Sequence, residues 1–444
     1  MRVLIIGKFP PIQGGVSAQT YWTAHQLAER GHEVHVVTNS EEIDYGYREF
    51  LFGDDRERLA RSYTEGSVTL HTTTPLRAWS YIPWAPPYNS QLFGLAVSVM
   101  EKHECDLVFG WYFEPYCVVA AQVATAFGKP LAVRHAGSDI GRLAQHPQLR
   151  SAYQWIASRA DAIFSTHKIP AIVQALEELG FTAAQLRSAK ATPLPPVYTK
   201  QTDRLDVSEV TSQAQEWYRQ VFPAGDLAEQ INQLNSKPFE TGHPTIGIYG
   251  KVGETKGSFD LIRALEKLAA ADERFNFLSV VGGDPPRLAQ YCQALLSSEG
   301  LRQRTWLLPL VAPWRIPSFI RRCDITCFLE RDFPIAFHGS TIPREILAAG
   351  SCLVCSEEMA VKLPFAENLV NGKNYVMVHD PKDSDELASR LRNLLADDAQ
   401  RQVIAAHGKH LSKFWEDDMS SLGGVAGAIE RFARDFGIAG GAQT

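Results

Sequence analysis

Short apolar segments that alternate with helical stretches are the feature that most constrains the fold of this chain. Residues 3–6, 34–37 and 106–110 are segments of this kind, and the first and third are followed by a loop and a longer stretch of helical character. The same alternation restarts after residue 244. Strands that are apolar throughout are typical of parallel sheets covered by helices on both faces. The sequence therefore predicts an α/β fold with two doubly wound, Rossmann-like parallel-sheet domains that face a central cleft.

The 444 residues divide into four predicted segments. The first domain covers residues 1–188. An interdomain connection with a helical insert follows over residues 189–243, and it begins and ends in proline-rich sequence. The second domain covers residues 244–410. Residues 411–444 are predicted to form C-terminal helices that return to the first domain.

Charge and apolar patterning argue against two classes of function. The chain has 44 Lys and Arg against 50 Asp and Glu, a net charge of -6 with neutral His, which disfavours a nucleic-acid partner. No apolar stretch is long enough for a transmembrane helix, so membrane contact is at most peripheral. The 7 cysteines are scattered, which favours a reducing, cytoplasmic location. Cys352 and Cys355 fit a core strand better than a redox or metal pair.

A glycine-rich turn with two lysines follows the predicted strand that ends at residue 249. Gly250 and Gly257 frame this turn, and glycines allow the backbone to approach a ligand closely. Lys251 and Lys256 could flank a diphosphate as point charges. The spacing does not match the P-loop pattern G-x-x-x-x-G-K-S/T. An ordinary turn with solvated lysines is the alternative interpretation.

A second candidate motif is a helix that begins near residue 341 and ends at Gly350. Ser340 or Thr341 can cap this helix, and the preceding Gly339 leaves its first backbone N–H groups accessible to an anion. Glu345, one turn into the helix, could accept hydrogen bonds from a ribose diol. The alternative is that Glu345 only complements the helix dipole.

The third candidate motif lies at the carboxyl end of a predicted strand in the first domain. His135, Gly137 and Asp139 place an imidazole, a backbone-permissive glycine and a carboxylate at the mouth of the predicted cleft. A structural role for His135 is an equal alternative. A Ser-His-Asp hydrolase is disfavoured because the chain has no G-x-S-x-G turn.

Taken together, these motifs resemble those of the retaining nucleotide-sugar glycosyltransferases of family 4, which have the GT-B fold. The loop with Gly14 and Gly15 resembles the opening glycine loop of that family, and residues 250–257 resemble its G-R/K-x4-K-G donor loop. Residues 345–350 resemble the second half of its E-x7-E-A-x-A-x-G signature. The first glutamate of that signature falls on Phe337, so the pair is incomplete.

The resemblance implies transfer of a sugar from a nucleotide diphosphate sugar to an acceptor, with retention of anomeric configuration. It implies no metal and no cofactor beyond the nucleotide-sugar co-substrate, because the lysines and the helix start would neutralise the leaving diphosphate. The implied donor-binding residues are Gly14, Gly15, Lys251, Lys256, Gly283, Val311, His338, Gly339, Ser340, Thr341 and Glu345. The implied catalytic residues are His135, Asp139, Lys256 and Glu345.

In this family the first domain holds the acceptor, here a small molecule, a glycan or a natural product. The resemblance and the local abundance of aromatic residues point to Trp79, Tyr81, Trp84 and Trp111 as acceptor-binding residues. Such rings could stack on a sugar or cover an apolar aglycone, or they could belong to a packed loop.

Two alternative functions are compatible with the same fold. A nucleotide-sugar-binding relative that has lost transfer is suggested by Phe337, although His338 or Glu330 could replace the missing glutamate through a shift in register. An NAD-dependent oxidoreductase is disfavoured because Gly7, Gly14 and Gly15 do not form the G-x-G-x-x-G pattern.

Overall fold

A computed structural model describes residues 1–74, 88–165, 169–189, 193–334, 339–421 and 423–438. The chain divides into two compact units. The first unit comprises Met1–Ile43, Gly53–Pro193 and Asp418–Thr444, and the second comprises Asp44–Phe52 and Leu194–Asp417.

The first unit is built on a sheet of eight strands in the order β3-β4-β2-β1-β5-β6-β7-β8. All pairings are parallel except that of β3 with β4. The strands are β1 (Arg2–Gly7), β2 (Glu33–Thr38), β3 (Arg61–Ser62), β4 (Ser67–Thr72), β5 (Leu107–Trp111), β6 (Leu131–Arg134), β7 (Ala162–Ser165) and β8 (Leu186–Ser188). The helices of this part of the chain are α1 (Gly15–Glu29), α2 (Asp55–Arg58), α3 (Tyr88–His103), α4 (Val118–Phe127), α5 (Ser138–Gly141), α6 (Pro147–Arg159) and α7 (Pro170–Glu178).

The second unit is built on a sheet of six parallel strands in the order β11-β10-β9-β12-β13-β14. The strands are β9 (Thr245–Lys251), β10 (Asn276–Gly282), β11 (Thr305–Pro309), β12 (Ile325–Phe328), β13 (Cys352–Ser356) and β14 (Val376–Val378). The helices are α8 (Val207–Gln213), α9 (Gln215–Val221), α10 (Leu227–Asn235), α11 (Ser258–Ala270), α12 (Pro285–Ser297), α13 (Glu299–Arg302), α14 (Ile316–Arg322), α15 (Ile342–Ala349), α16 (Glu357–Ala360) and α17 (Ser384–Ala396).

The chain ends in two further helices, α18 (Asp398–Ser421) and α19 (Gly424–Asp435). Within the first unit, α19 packs against α1 and β7. Its Glu430 carboxylate accepts a hydrogen bond from Arg30, at 2.9 Å, and lies 3.1 Å from the imidazole of His32. The ring of Phe432 meets that of Phe164 edge-on, with the centroids 6.3 Å apart. The last described helix therefore packs against the first helix of the chain and against a strand of the first sheet.

The predicted fold class is confirmed, since both units are α/β with parallel sheets. The central strands are fully buried because helices cover both faces, which explains why they read as continuous apolar runs. Cys352 and Cys355 lie in the buried strand β13, which confirms the core-strand interpretation, and all seven cysteines are free. Among the described helices, none combines the length and the apolar character needed to cross a membrane.

In both sheets, the strands that follow the first one in sequence are added on one side of it and then on the other. In the first sheet β1 lies between β2 and β5, and in the second β9 lies between β10 and β12. Open α/β sheets bind ligands beyond the carboxyl ends of the strands at such a switch point. The loops that follow β1, β5, β9 and β12 are therefore the first places to look for a site.

Residues 44–52 belong to the second unit although they follow β2 in the chain. The Phe50 N–H donates to the carbonyl oxygen of Leu310 at 2.7 Å, and the Tyr47 hydroxyl donates to the Asp284 carboxylate at 3.0 Å. These contacts lie just beyond β11 and β10. The segment therefore runs along the carboxyl edge of the second sheet.

Candidate functional site

The loops that follow β9 and β10 meet closely in the second unit. Gly250 has a φ of 121° and Gly283 a φ of 114°, which is backbone geometry that favours glycine. A Cβ atom added to Gly283 would lie 3.4 Å from the Cβ of Lys251. The glycines thus let the two loops pack side by side and leave room for the Lys251 side chain.

Lys256 is fixed at the carboxyl end of β12. Its Nζ forms an ion pair with Oε1 of Glu330, whose side chain is only 3% exposed. The ammonium also lies 4.4 Å from the centroid of the Phe333 ring. Gly257, with a φ of 68°, follows this lysine and directly precedes α11, and a Cβ there would overlap the carbonyl oxygen of Leu329. The turn therefore packs directly against the end of β12.

The two lysines of the predicted turn are close enough to influence each other. The pKa of Lys251 is lowered, chiefly because neighbouring groups displace water from its ammonium, and then by the charge of Lys256. Glu49, from the segment 44–52, acts in the opposite direction. An anion bound beside both ammonium groups would relieve their mutual repulsion. Lys251 is exposed and Lys256 is partly exposed, so phosphate binding at this turn stays a prediction.

Glu345 in α15 is held by two tyrosines. The Tyr249 hydroxyl donates to its Oε2 at 2.6 Å, and the Tyr198 hydroxyl also hydrogen-bonds to its carboxylate. Burial raises the pKa of Glu345, while both tyrosine hydrogen bonds oppose the shift. Two donors therefore fix the position of a partly buried carboxylate next to the β9 turn.

The start of α15 is capped by Ser340. Its Oγ accepts a hydrogen bond from the Ile342 N–H at 3.3 Å, whereas Thr341 makes no side-chain capping bond. Pro343 has no N–H, so the first turn presents few free backbone donors. Gly339 is exposed, and a side chain there would meet no atom within 4 Å. The lysines of the β9 turn, and Arg287, whose guanidinium would lie 3.7 Å from a Cβ added to Gly253, supply positive charge near this helix start.

A buried ion pair anchors the same helix. The Arg344 guanidinium donates twice to Oε1 of Glu416 in α18, at 2.9 and 2.7 Å. The other oxygen of Glu416 accepts a hydrogen bond from the Leu194 N–H at 2.7 Å. Both side chains are nearly inaccessible to solvent, with exposures of 4% and 11%. The pair holds α15, and with it Glu345, in a fixed position.

In the first unit, His135 follows β6 and is neutral. Its Nε2 lies 2.8 Å from the Ser165 Oγ. Burial and then the charge of Arg134 lower the pKa of His135 to about 3. Its Nδ1 is buried and has no hydrogen-bond partner among the residues that the structure describes.

Asp139 shapes the turn that follows His135. Its carboxylate is fully buried and accepts hydrogen bonds from the backbone N–H groups of Ala136, Ile140 and Phe113, at 2.9 to 3.2 Å. Burial raises the pKa of Asp139 to about 7, against the effect of these donors. These hydrogen bonds fix the turn after His135, and the predicted catalytic role of Asp139 stays a prediction.

Arg134, the last residue of β6, has an unusual environment. Its guanidinium lies 5.0 Å from the centroid of the Trp111 ring, and its Nη1 is buried without a hydrogen-bond partner in the described parts of the chain. Burial lowers the pKa of Arg134 to about 10, so it stays charged at neutral pH. Trp111 itself is 2% exposed, which leaves little of its ring for an acceptor to contact.

The remaining predicted residues fall into three groups. Gly14 precedes α1 with a φ of 126°, and a side chain on Gly15 would meet no atom within 4 Å, so this loop is open to a ligand. Val311 is buried, and its backbone pairs with Phe50, so its side chain faces the core. The predicted residues that lie outside the described part of the chain are Trp79, Tyr81, Trp84, Phe337 and His338.

Sequence reasoning missed the groups that hold the predicted ones in place. Tyr198 lies in the connection that follows the first domain, 147 residues from Glu345, and no motif links the two. Tyr249 stands two positions before Lys251 in β9, where the strand pattern indicated only a core residue. The sequence suggested Glu330 only as a replacement for the first glutamate of the family signature. In the structure it forms an ion pair with Lys256.

Two family models match the chain, one in each half. Residues 14–189 match the model described as a glycosyl transferase 4-like domain, and residues 229–411 match that of the glycosyl transferases group 1. Together these matches cover most of the sequence. No curated protein matches the chain by sequence.

Several solved structures are similar over the whole length of the chain. Sucrose-phosphate synthase from Thermosynechococcus elongatus superposes with a TM-score of 0.63 at 14% identity, and the match covers 99% of both chains. HepE from Anabaena, solved in complex with UDP-glucose, gives 0.59 at 16% identity, covering 99% of this chain and 100% of the other. An α,α-trehalose-phosphate synthase (UDP-forming) from Burkholderia vietnamiensis gives 0.57 at 14% identity, covering 100% of both. At these identities the likeness concerns the fold.

Proposed function

Because this chain is a glycosyltransferase, combining a glycosyl transferase 4-like domain with a group 1 domain, we propose that it transfers a sugar from a nucleotide diphosphate sugar to an acceptor hydroxyl. The observation that carries the proposal is that Tyr249, two positions before Lys251 in β9, holds the Glu345 carboxylate, while Lys256 of the same β9 turn lies close enough to affect the charge of Lys251. Two ammonium groups and a preoriented carboxylate are what a diphosphate and a ribose diol require. The donor therefore binds in the second unit.

In the proposed reaction, the bond between the anomeric carbon and the leaving phosphate oxygen breaks while the acceptor oxygen bonds to that carbon on the same face. The acceptor proton passes to the leaving phosphate oxygen, so retention needs no separate general base. Lys251 and Lys256 stabilise the charge that develops on the diphosphate. They supply the positive charge that a metal ion provides in other transferases, so the proposed transfer is metal-independent.

We propose that the acceptor binds in the first unit. A buried guanidinium nitrogen without a hydrogen-bond partner is costly, and the Nη1 of Arg134 has none among the described residues. The unpartnered Nδ1 of His135 lies on the adjacent residue. An acceptor that carries a phosphate or carboxylate would pair with Arg134 and hydrogen-bond to His135. We therefore propose an anionic acceptor, such as a phosphorylated sugar.

The donor proposal is tested by thermal unfolding with UDP, GDP, ADP and NAD. We expect one nucleoside diphosphate to stabilise the chain by about 2.7 kcal/mol at about 100 times its dissociation constant. NAD is expected to have no effect. The corresponding sugar nucleotides should be hydrolysed slowly when no acceptor is present.

Stabilisation by NAD alone would contradict the donor site. A nucleoside diphosphate that binds without any turnover of its sugar forms, across a broad acceptor panel, would instead support a relative that has lost transfer. The substitution of Phe337 for the first family glutamate is the specific reason to keep this second candidate.

The acceptor proposal is tested with pairs of sugars that differ only by a phosphate. We expect the phosphorylated member of at least one pair to be the better acceptor. Replacing Arg134 with Gln should lower kcat/KM for it by about 10- to 100-fold, the loss of one charged hydrogen bond. Donor hydrolysis should stay unchanged. Equal use of both members by the native chain would overturn the anionic acceptor while leaving the donor site intact.

A further inference from the structure

Three histidines that the proposed transfer does not use converge in the first unit. His35 on β2 and His71 on β4 share one face of the sheet, because His35 pairs with the residue two positions before His71. His103 is the last residue of α3, which packs over β2. One ring nitrogen of each histidine lies within 4.8 Å of those of the other two. Two neighbouring strands and a helix end thus bring three imidazoles together.

The distances suit a shared metal ion. The Nδ1 of His35 and the Nε2 of His71 are 3.1 Å apart. Two nitrogen ligands at the usual zinc distance in a tetrahedral site are about 3.3 Å apart. The rings of His35 and His103 are also close, with their centroids 3.9 Å apart. His71 and His103 are partly exposed, so small ring rotations can bring the third nitrogen into range.

Glu33 gives His35 the orientation of a metal ligand. The Nε2 of His35 lies 2.9 Å from Oε1 of Glu33, so the carboxylate favours the proton on Nε2 and leaves the Nδ1 lone pair facing His71. A carboxylate behind a ligating imidazole is a common second partner in zinc sites. His35 is 1% exposed, which fixes its ring. The carboxylate also offsets the nearby positive charge of Arg2 and Lys102.

We propose that His35, His71 and His103 bind one divalent transition-metal ion of the zinc class, with Glu33 orienting His35. Imidazole nitrogens select such ions over magnesium and calcium. The His103 carbonyl accepts a hydrogen bond from the side chain of Arg2, so His103 lies near the amino end of β1, which begins at Arg2. The ion would tie α3 to β2 and β4 and take no part in transfer.

The test uses the full chain without a histidine tag, stripped with a chelator and dialysed. Zn²⁺ titrated against a chromophoric indicator is expected to bind at one equivalent. Co²⁺ should give the visible absorption bands of a four-coordinate site. His71→Gln and His103→Gln should each weaken Zn²⁺ binding by at least 100-fold. His146→Gln is the matched control, because His146 is exposed in the same unit and caps no helix through its side chain.

A further variant covers the case in which the histidine variants fold poorly. Glu33 is 44% exposed, so Glu33→Ala should fold, and it is expected to weaken binding by about 10- to 100-fold, as losses of such partners do. If the native chain binds no Zn²⁺, or if His71→Gln and His103→Gln bind it as tightly as the His146→Gln control, the metal site is wrong. The cluster would then be three packed imidazoles joined by a hydrogen bond between His35 and His71.

Discussion

Replacing Lys256 with alanine is expected to lower the rate of sugar transfer by about 10²- to 10³-fold, the typical cost of removing one preorganised donor from a developing oxyanion. The ammonium is fixed by its ion pair with Glu330 and by the Phe333 ring, so it needs no reorganisation when the diphosphate leaves. The measurement is kcat with the preferred sugar nucleotide. Lys373→Ala, which removes an exposed lysine of the same unit, should leave kcat unchanged.

The Lys256 substitution also has a cost in stability that must be separated from its effect on the rate. Removing the lysine leaves the Glu330 carboxylate buried without this counter-ion, which should lower the free energy of unfolding by about 3 kcal/mol. The double variant Lys256→Ala/Glu330→Gln should recover most of that stability but none of the rate. If the double variant regains transfer, Lys256 acts only on folding. If Glu330→Gln alone is as inactive as Lys256→Ala, Glu330 itself takes part in transfer.

Replacing Glu345 with glutamine is expected to weaken binding of the nucleoside diphosphate by about 10- to 100-fold, because hydrogen bonds to a charged acceptor contribute about 1.5–3 kcal/mol. The carboxylate is already held by Tyr249 and Tyr198, so its remaining acceptor capacity can serve the ribose hydroxyls. Binding is measured by calorimetry with the nucleoside diphosphate and, in parallel, with inorganic pyrophosphate.

The two ligands distinguish a ribose contact from a general loss of the site. Glu345→Gln should spare pyrophosphate binding, whereas Lys256→Ala should weaken the binding of both ligands. Tyr249→Phe keeps the carboxylate and removes one of its donors, so we expect a smaller loss of nucleotide affinity than for Glu345→Gln. Equal losses of nucleotide and pyrophosphate in Glu345→Gln would contradict the ribose assignment.

The fold was predictable where the apolar pattern was strongest. The central strands β1, β5, β9 and β10 are runs of mostly buried apolar residues between turns. The length of each apolar run and the turns around it identify the strand without knowledge of its tertiary contacts. The edge strands carry no such runs. In β4, Ser67, Thr69 and His71 alternate with apolar residues, and β3 has only two residues, so neither stands out in the sequence.

The candidate site could be predicted where its residues directly follow a strand or lie at the start of a helix. Lys251 and Lys256 were found because a glycine turn after an apolar strand marks a ligand-facing loop. The groups that hold them were not predictable, because pairs such as Lys256 with Glu330 and Arg344 with Glu416 are formed by residues far apart in the chain. Among the described residues, the buried Nη1 of Arg134 has no hydrogen-bond partner, and this depends on which distant side chains pack around it, not on its sequence neighbours.

The division of the chain into units has a consequence for its biosynthesis. The polypeptide passes between the units four times, since residues 44–52 belong to the second unit and residues 418–444 to the first. Neither unit is continuous in sequence, so the first cannot be completed while the ribosome is still translating the second. Domains that fold one after another during synthesis avoid this delay. We therefore expect fragments cut near residue 193 to aggregate or to depend on chaperones, because each lacks a segment that the other fragment carries.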